Sequence, residues 1–321
     1  MSILIITNQA DITSDFIVRK LQELQLPFFR LNTEQIGKSL TVTFDFSESN
    51  FMLFESGSGK TIDLSMVTSV YYRRPEINRD HGDLSKGEQS FIHAELLYVL
   101  EGLYKILDNA YWINKVQSIR NAENKIYQLL IAEEIGFNIP ESLITSDPNA
   151  ALQFYNKHNQ QCIIKPIKSG LVQDDHEEGV IFTSKVVLDE NNVNRIVSCP
   201  VYLQKLINKD ADIRVTLVGN QVFAAKIHSQ ENAEGIIDWR KAGVPLPHSV
   251  IELPRDIKYK CIKLLEKLQL NYGAVDFILT EGGQYVFLEI NPNGQWAWIE
   301  NRLNLKISDA ITGLLSANVL A

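Results

Sequence analysis

Asp276, Glu289 and Asn291 are the residues of this 321-residue chain whose types and spacing most directly suggest chemistry. They lie in AVDFILTEGGQYVFLEINPNGQW, two strand-like apolar runs joined through Gly282-Gly283. If those glycines are the central pair of a tight hairpin, Glu281 pairs with Gln284, and each pair outward keeps a position sum of 565. Asp276 then lies opposite Glu289, and Asn291, two residues on, shares the face of Glu289. Two carboxylates and an amide oxygen, with no imidazole or thiolate, form a hard-oxygen site suited to Mg²⁺ and to phosphate oxygens bound alongside it. The alternative is a pair of acids decorating a solvated sheet face, but facing carboxylates without a cation repel.

Cations follow the same logic. Lys165 sits within CIIKPI, an apolar strand, so its ammonium needs an anion, either a protein acid or a phosphate. Lys125 lies one turn into a helix read over 121–135, with a surface position as the alternative. VYLQKLI is an apolar strand with Gln204-Lys205 at its middle, and the connector NKDAD after it has backbone groups able to read an adenine edge. Asp212 and Arg214 are two apart on a strand and share a face. A two-residue Gly219-Asn220 turn pairs Arg214 with Ala225, whereas a three-residue turn pairs it with Lys226. Arg214 and Lys226 converging near two Mg²⁺-type carboxylates would suit phosphoryl transfer, in which fixed positive groups stabilise developing charge. A surface ion pair between Asp212 and Arg214 is the other reading.

A second stretch imitates phosphate chemistry without meeting its conditions. ESGSGKTID ends in the Gly-Lys-Thr of a phosphate loop, yet the glycine required five positions before Gly59 is Phe54. A helix should follow, and IDLSMVTSVYYRRP reads as strand instead. Ser56 to Lys60 is therefore expected to be a hairpin tip, with Lys60 in solvent.

The elements that must position these groups are those of a mixed α/β protein. An apolar run at 3–7, a helix over 13–25 and PFFRL make a β-α-β start. Ile92, Leu96, Leu97, Leu100, Leu103, Tyr104 and Leu107 fall on one helical face, closing a first domain near residue 115. Asn121 is the expected N-cap of the next helix, with Gly136 as its stop. From 162 the pattern is mostly antiparallel, interrupted by one helix over 254–270. The net charge of -8 with no basic segment argues against a nucleic-acid partner. Cys162, Cys199 and Cys261 follow no metal-type spacing and suit a reducing cytoplasm, and no stretch reaches the length of a membrane span.

The order Lys125, Lys165, QKLI, DIR, AAKI, VDF and EIN resembles the ATP-grasp ligases of the RimK-like branch over roughly residues 118–318. Within that branch, YYRRP, IDWR and NPNGQWAWIE resemble the enzymes that macrocyclise microviridin-type peptides, the graspetide synthetases. The resemblance implies an α/β (α+β) ATP-grasp fold in three parts: a pre-ATP-grasp domain at 1–115, a central subdomain at 116–200 and a C-terminal antiparallel-sheet subdomain at 201–321. It implies that Lys125 and Lys165 contact ATP phosphates, that Gln204, Lys205, Leu206 and Ile207 line the adenine site with Asp212 in the nucleotide set, and that Asp276, Glu289 and Asn291 hold Mg²⁺. The loop KSGLVQDDHEEG departs from the pattern, with two glycines and four acids where a phosphate-covering loop is small and glycine-rich.

The activity so implied is ATP-dependent phosphorylation of a side-chain carboxylate on a precursor peptide carrying a leader. A Ser, Thr or Lys side chain of the same peptide then attacks the acyl phosphate. Arg214 and Lys226 would stabilise the transferring phosphoryl group. Arg73 or Arg74, and Arg240 of IDWR, are the candidate forks for acidic side chains, with Trp239 and Gln295 completing the substrate set. Asp238 either helps to deprotonate the nucleophile or orients Arg240. Trp239, Trp296 and Trp298 serve as packing groups or as substrate platforms. The acidic 173–178 run and the 40–70 hairpins are candidate docking surfaces, and a homodimer is compatible with the resemblance. A RimK-like ligase joining two separate molecules, a phosphotransferase and a non-catalytic nucleotide-binding module are the competing readings.

Overall fold

The computed structural model describes residues 1–79, 81–168, 170–173 and 178–317. The chain folds as two compact units, one of Met1–Ile119, Gln269–Tyr272 and Asn293–Ala321, the other of Arg120–Leu268 and Gly273–Pro292. The C-terminal segment thus groups with the N-terminal one.

In the first unit β1 (Ser2–Thr7), α1 (Ile12–Glu23) and β2 (Phe28–Asn32) form the expected β-α-β start. A three-stranded antiparallel meander follows, β3 (Leu40–Asp45), β4 (Asn50–Glu55) and β5 (Lys60–Asp63), and then β6 (Val67–Tyr72), α2 (Lys86–Ile106) and β7 (Tyr111–Trp112). The parallel sheet runs β2-β1-β6-β7. Ile3 to Ile6 of β1 are all fully buried, as a continuous apolar run between two covered faces requires. Residues 56–59 form the tip between β4 and β5, where Gly59 takes φ +68°. Lys60 is exposed opposite Glu55, so the GSGKT letters belong to a hairpin.

Helix α2 begins in a full capping box between Ser85 and Glu88. Its expected apolar face holds for the C-terminal half, where Leu100, Leu103 and Leu107 are buried, but Leu97 is 43% exposed. Periodicity marks one face of a helix without saying how far along it a core extends.

The second unit begins at Arg120, within the short helix α3 (Val116–Ala122), and its first complete helix is α4 (Lys125–Ile135). The single helix expected over 121–135 is therefore two. Asn124, not Asn121, is the cap: its side chain accepts from the amides of Ile126 and Tyr127 at 3.1 Å each. Gly136 ends α4 at φ +86° as expected, and Lys125 is the first residue of the helix.

Then come β8 (Ser142–Thr145), α5 (Pro148–Lys157), β9 (Cys162–Lys165), β10 (Leu171–Gln173), β11 (Glu178–Val180), β12 (Ser184–Lys185) and β13 (Val201–Lys205). Strands β12-β9-β13-β8 form an antiparallel sheet. A five-stranded sheet, β16-β15-β14-β17-β18, is built from β14 (Ala211–Val218), β15 (Gln221–Ile227), β16 (His248–Val250), β17 (Tyr272–Leu279) and β18 (Tyr285–Asn291), with α6 (Arg255–Leu268) between β16 and β17. The terminal helices α7 (Ala297–Leu303) and α8 (Ile307–Ser316) return to the first unit. Residues 174–177 of the acidic run lie outside the described residues. Among those described, no helix is long and apolar enough to cross a membrane.

Candidate active site

Asp276 does lie opposite Glu289, but by a different route from the one expected. The tip of the β17–β18 hairpin is wider than a two-residue turn: Leu279 pairs with Tyr285, and the amide of Thr280 donates to the carbonyl of Gln284 at 3.0 Å. That register has a position sum of 564, and a bulge between Asp276 and Phe277 shifts it to 565. The bulge inserts one residue, Leu288, so that Leu288 and Glu289 both line the cavity in front of the sheet. Phe287, the preceding residue, is fully buried and stacks on Phe137 with ring centroids 5.1 Å apart. Asn291 lines the same cavity.

Strand β14 supplies the facing cation. Its turn with β15 is the two-residue version, so Arg214 pairs with Ala225 and Lys226 pairs with Ile213. Lys226 is thereby placed on the opposite face of the sheet from Arg214, where it binds Asp210 at 2.7 Å. The expected convergence of Arg214 and Lys226 does not occur, because the turn length decides the face. Arg214 instead forms an ion pair with Asp276 at 2.7 Å, and Asp212 pairs with Lys209 at 2.7 Å rather than with Arg214.

The cavity, contained in the second unit, gathers most of the remaining expected residues. Lys125 reaches Glu289 at 3.2 Å and the carbonyl of Pro166 at 3.1 Å. Gln204, Lys205, Leu206 and Ile207 line it, although the Lys205 ammonium lies 3.5 Å from Glu141. Gln204 is buried, its amide donating to Ser142 and to the hydroxyl of Tyr202. Asp238, Trp239 and Arg240 line the cavity too. Asp238 is buried and holds Arg240 through Nε at 2.8 Å and Nη2 at 2.6 Å, while also accepting from the amide of Thr183. Of its two expected roles, this geometry matches the orienting one.

Three contributors were not foreseen. Lys209 lies in the NKDAD connector, and its buried ammonium joins Asp212 to the carbonyl of Ile237, linking β14 to the Asp238 segment. Ile236 and Ile237 line the cavity as an apolar wall, and Thr183 anchors Asp238. Neighbouring charges mark Lys209, since a lysine three residues before an acid in a buried strand needs that acid, but its contact with a segment 28 residues on is not readable from the sequence.

Electrostatically the cavity stands apart from the rest of the chain. Among the described residues, six cations line it (Lys125, Lys165, Lys205, Lys209, Arg214 and Arg240) against four acids (Asp212, Asp238, Asp276 and Glu289), a formal +2 for these groups in a chain of -8. Each acid has its own cation: Lys125 for Glu289, Lys209 for Asp212, Arg214 for Asp276 and Arg240 for Asp238. Lys165 is left over. Among the described residues no carboxylate comes within ion-pair distance of it, and its ammonium lies 5.9 Å from the ring centre of Tyr202. Burial pushes it down to about 8, with Glu289 opposing. Burial likewise raises Asp276 to about 6 despite Arg214, whereas for Glu289 the burial penalty is outweighed by Lys125 and Lys165, which hold it below the usual carboxylate range.

The all-oxygen donor set of Asp276, Glu289 and Asn291 fits a hard divalent cation, and the uncompensated Lys165 fits an anionic phosphate. Among the described residues no group of three or more His, Cys, Asp or Glu side chains is arranged to hold a metal, so a bound cation would draw on the amide and on phosphate oxygens as well.

Arg73 and Arg74 belong to the first unit and separate there. Arg73 is 1% exposed, donates to the carbonyls of Asn293 and Gly294, and lies 3.3 Å from Asp11. It is thus a buried framework group and not a substrate fork. Arg74, turned outward at φ +46°, lines a second cavity together with Gln295 and Trp298. Trp296 is fully buried, packed edge-on against Phe16.

Residues 2–120 match the MvdD pre-ATP grasp domain, and residues 121–315 match the RimK-like ATP-grasp domain. Among solved structures, the Chryseobacterium gregarium RiPP-associated ATP-grasp ligase, in complex with ADP and a leader and core peptide, is 30% identical, with a TM-score of 0.89 over 98% of this chain and 96% of that one. Macrocyclase MdnC of Microcystis aeruginosa MRC, bound with precursor peptide MdnA, is 26% identical, with a TM-score of 0.87 over 99% of this chain and all of that one. Tetrahydromethanopterin:alpha-L-glutamate ligase of Methanococcus maripaludis is 24% identical over 67% of this chain and 70% of that protein. With its α/β architecture, its antiparallel C-terminal sheet and a family match over residues 121–315, the chain belongs to the RimK-like ATP-grasp family and is an ATP-grasp ligase.

Proposed function

We propose that the protein is an ATP- and Mg²⁺-dependent ligase that closes ester or amide macrocycles within a ribosomal precursor peptide. The observation carrying the nucleotide part is the half-buried Lys165, with no carboxylate partner among the described residues, beside the facing pair Asp276 and Glu289. The peptide part is supported by likeness over nearly the whole chain to ligases whose structures contain precursor peptides.

In this reading Lys125 and Lys165 bind phosphate oxygens, and Gln204 to Ile207 with Asp212 and the Ile236-Ile237 wall hold the nucleoside. A cation held by Asp276, Glu289 and Asn291 would offset phosphate charge. Arg214, fixed against Asp276, presents positive charge where a phosphoryl group passes to the peptide carboxylate. Arg240, held by Asp238 through Nε and Nη2, presents its remaining guanidinium N–H groups to that carboxylate. Ile236, Ile237 and Leu288 limit water around the activated carboxyl, which favours attack by the peptide hydroxyl or amine over hydrolysis. We assign the chain the three-part ATP-grasp division at about residues 115 and 200, and a reducing cytoplasm, which accords with three unbridged cysteines.

The test is incubation with ATP, Mg²⁺ and the precursor peptide encoded beside the gene, followed by mass spectrometry. Products lighter by one water per ring are expected, with one ADP formed per ring. Unchanged peptide, or a product heavier by a second molecule, rejects macrocyclisation. The second of these would favour the ligase that joins separate molecules, a reading supported by the glutamate-adding relative.

A further inference from the structure

Strand β18 carries two of the three proposed cation ligands, Glu289 and Asn291, and is the outermost strand of its five-stranded sheet. Its outer edge therefore presents backbone N–H and C=O groups that no neighbouring strand of that sheet meets. One residue before Glu289, the bulge at Leu288 also interrupts the ladder to β17, so strand pairing alone holds this stretch less firmly than a regular sheet would. Two contacts from outside the sheet bracket the irregularity. The carbonyl of Asn138 accepts from the amide of Phe287 at 2.8 Å on one side, and the side chain of Gln128 meets Ile290 on the other.

Gln128 lies on α4, is 3% exposed, and uses its carboxamide as a neighbouring strand would use its backbone. Its Oε1 accepts from the amide of Ile290 at 3.0 Å, and its Nε2 donates to the carbonyl of Ile290 at 2.8 Å and to that of Ala122 at 2.5 Å. These partners fix the orientation of the carboxamide, since exchanging its O and N would set an oxygen against two carbonyls. The Ile290 amide belongs to the peptide plane shared with Glu289, and its carbonyl to the plane shared with Asn291. One side chain thus holds both planes in which the Cα atoms of Glu289 and Asn291 lie. Gln128 also stands one turn from Lys125, which reaches the Glu289 carboxylate at 3.2 Å, so α4 grips both the side chain of Glu289 and the backbone beside it.

We propose that Gln128 is a positioning residue for the cation site. By bonding the Ile290 backbone it sets the spacing of Glu289 and Asn291, while standing outside the cavity lining itself. An apolar side chain would fill the same space in α4 but would leave the edge of β18 unmet beside the bulge, and buried backbone groups without partners drive local rearrangement. Groups that hold ligands from behind in this way change metal affinity without touching the metal. The inference rests on Asp276, Glu289 and Asn291 holding a cation, and a separate variant tests that condition.

Binding of Mn²⁺, a stand-in for Mg²⁺ on oxygen ligands, to the full chain with saturating ADP is read by water proton relaxation, and binding of ADP without metal by calorimetry. Gln128→Met keeps the length of the side chain and loses all three bonds. It should weaken Mn²⁺ at least about ten-fold and leave metal-free ADP binding within about two-fold. Gln128→Asn, which withdraws the carboxamide by one methylene, should give the same split, and it carries the test should the methionine variant not fold. Ile131→Val, a buried change on the same helix, should leave both affinities within about two-fold. Mn²⁺ affinity unchanged in the Gln128 variants, lost in equal measure with metal-free ADP, or lost equally in Ile131→Val overturns the inference. Asp276→Ala separates it from the reading beneath it. If that variant binds Mn²⁺ unchanged, the cation site falls and the inference with it. If it weakens Mn²⁺ while the Gln128 variants do not, the cation site stands and Gln128 is a packing group alone.

Discussion

Lys60 and Lys165 offer a comparison between two regions that both look made for phosphate. Lys60 has the letters, Gly-Ser-Gly-Lys-Thr, and stands exposed at the start of β5 with its ammonium 5.5 Å from the ring centre of Phe28. Lys165 has no motif around it, and lies within a cavity where, among the described residues, every carboxylate already has another cation. Phosphate binding follows from surroundings, namely burial, unmatched positive charge and oxygen ligands nearby. A string of residue types supplies none of these unless it also folds as a loop before a helix.

The comparison breaks at its strongest point if the acids around Lys165 prove dispensable. Asp276→Ala is expected to lower ATP turnover by at least about a thousand-fold, measured as ADP release, because it removes a proposed cation ligand and leaves Arg214 unpaired. Lys165→Ala comes next, with kcat/KM for ATP falling about 30- to 100-fold, the equivalent of a charged hydrogen bond of about 2–3 kcal/mol.

A pH profile sharpens the same contrast with a smaller effect. The cationic, low-pH form of Lys165 attracts phosphate, and burial lowers it to about 8. kcat/KM for ATP should therefore decline as pH rises through about 8, and Lys165→Arg, whose guanidinium stays charged, should move that decline to higher pH. A profile that is the same in both proteins would remove Lys165 from the phosphate site. Smallest of all, Lys60→Ala should change ATP turnover by less than about two-fold, as befits a surface turn. A large loss there would restore the phosphate-loop reading.

Parts of this site were legible because they depend on local alternation. Asp276 facing Glu289, and Asp212 sharing a strand with Arg214, follow from period-two geometry once the strands are recognised. Even so, the first of these reached the correct pairing by two offsetting departures, a wider tip and a bulge. Lys226 shows the opposite outcome. One residue of turn length decided whether it joined Arg214 or left the cavity, and both turns were compatible with Gly219-Asn220. Arg73 and Arg74 were indistinguishable as letters, and became a buried tie and a cavity-lining residue only once residues 293–294 returned to the first unit.

By itself, the sequence determined the family, the facing of Asp276 and Glu289, the apolar setting of Lys165 and the failure of the phosphate-loop motif, since these rest on residue type, spacing and strand alternation. Tertiary structure alone decided which cation pairs with which acid, that Lys209 ties two cavity walls, that Asp238 grips Arg240, and that Gln128 bonds the backbone of Ile290. Those outcomes depend on where segments distant in the chain come to rest. Burial and pairing are properties of that arrangement, and no local stretch of sequence contains them.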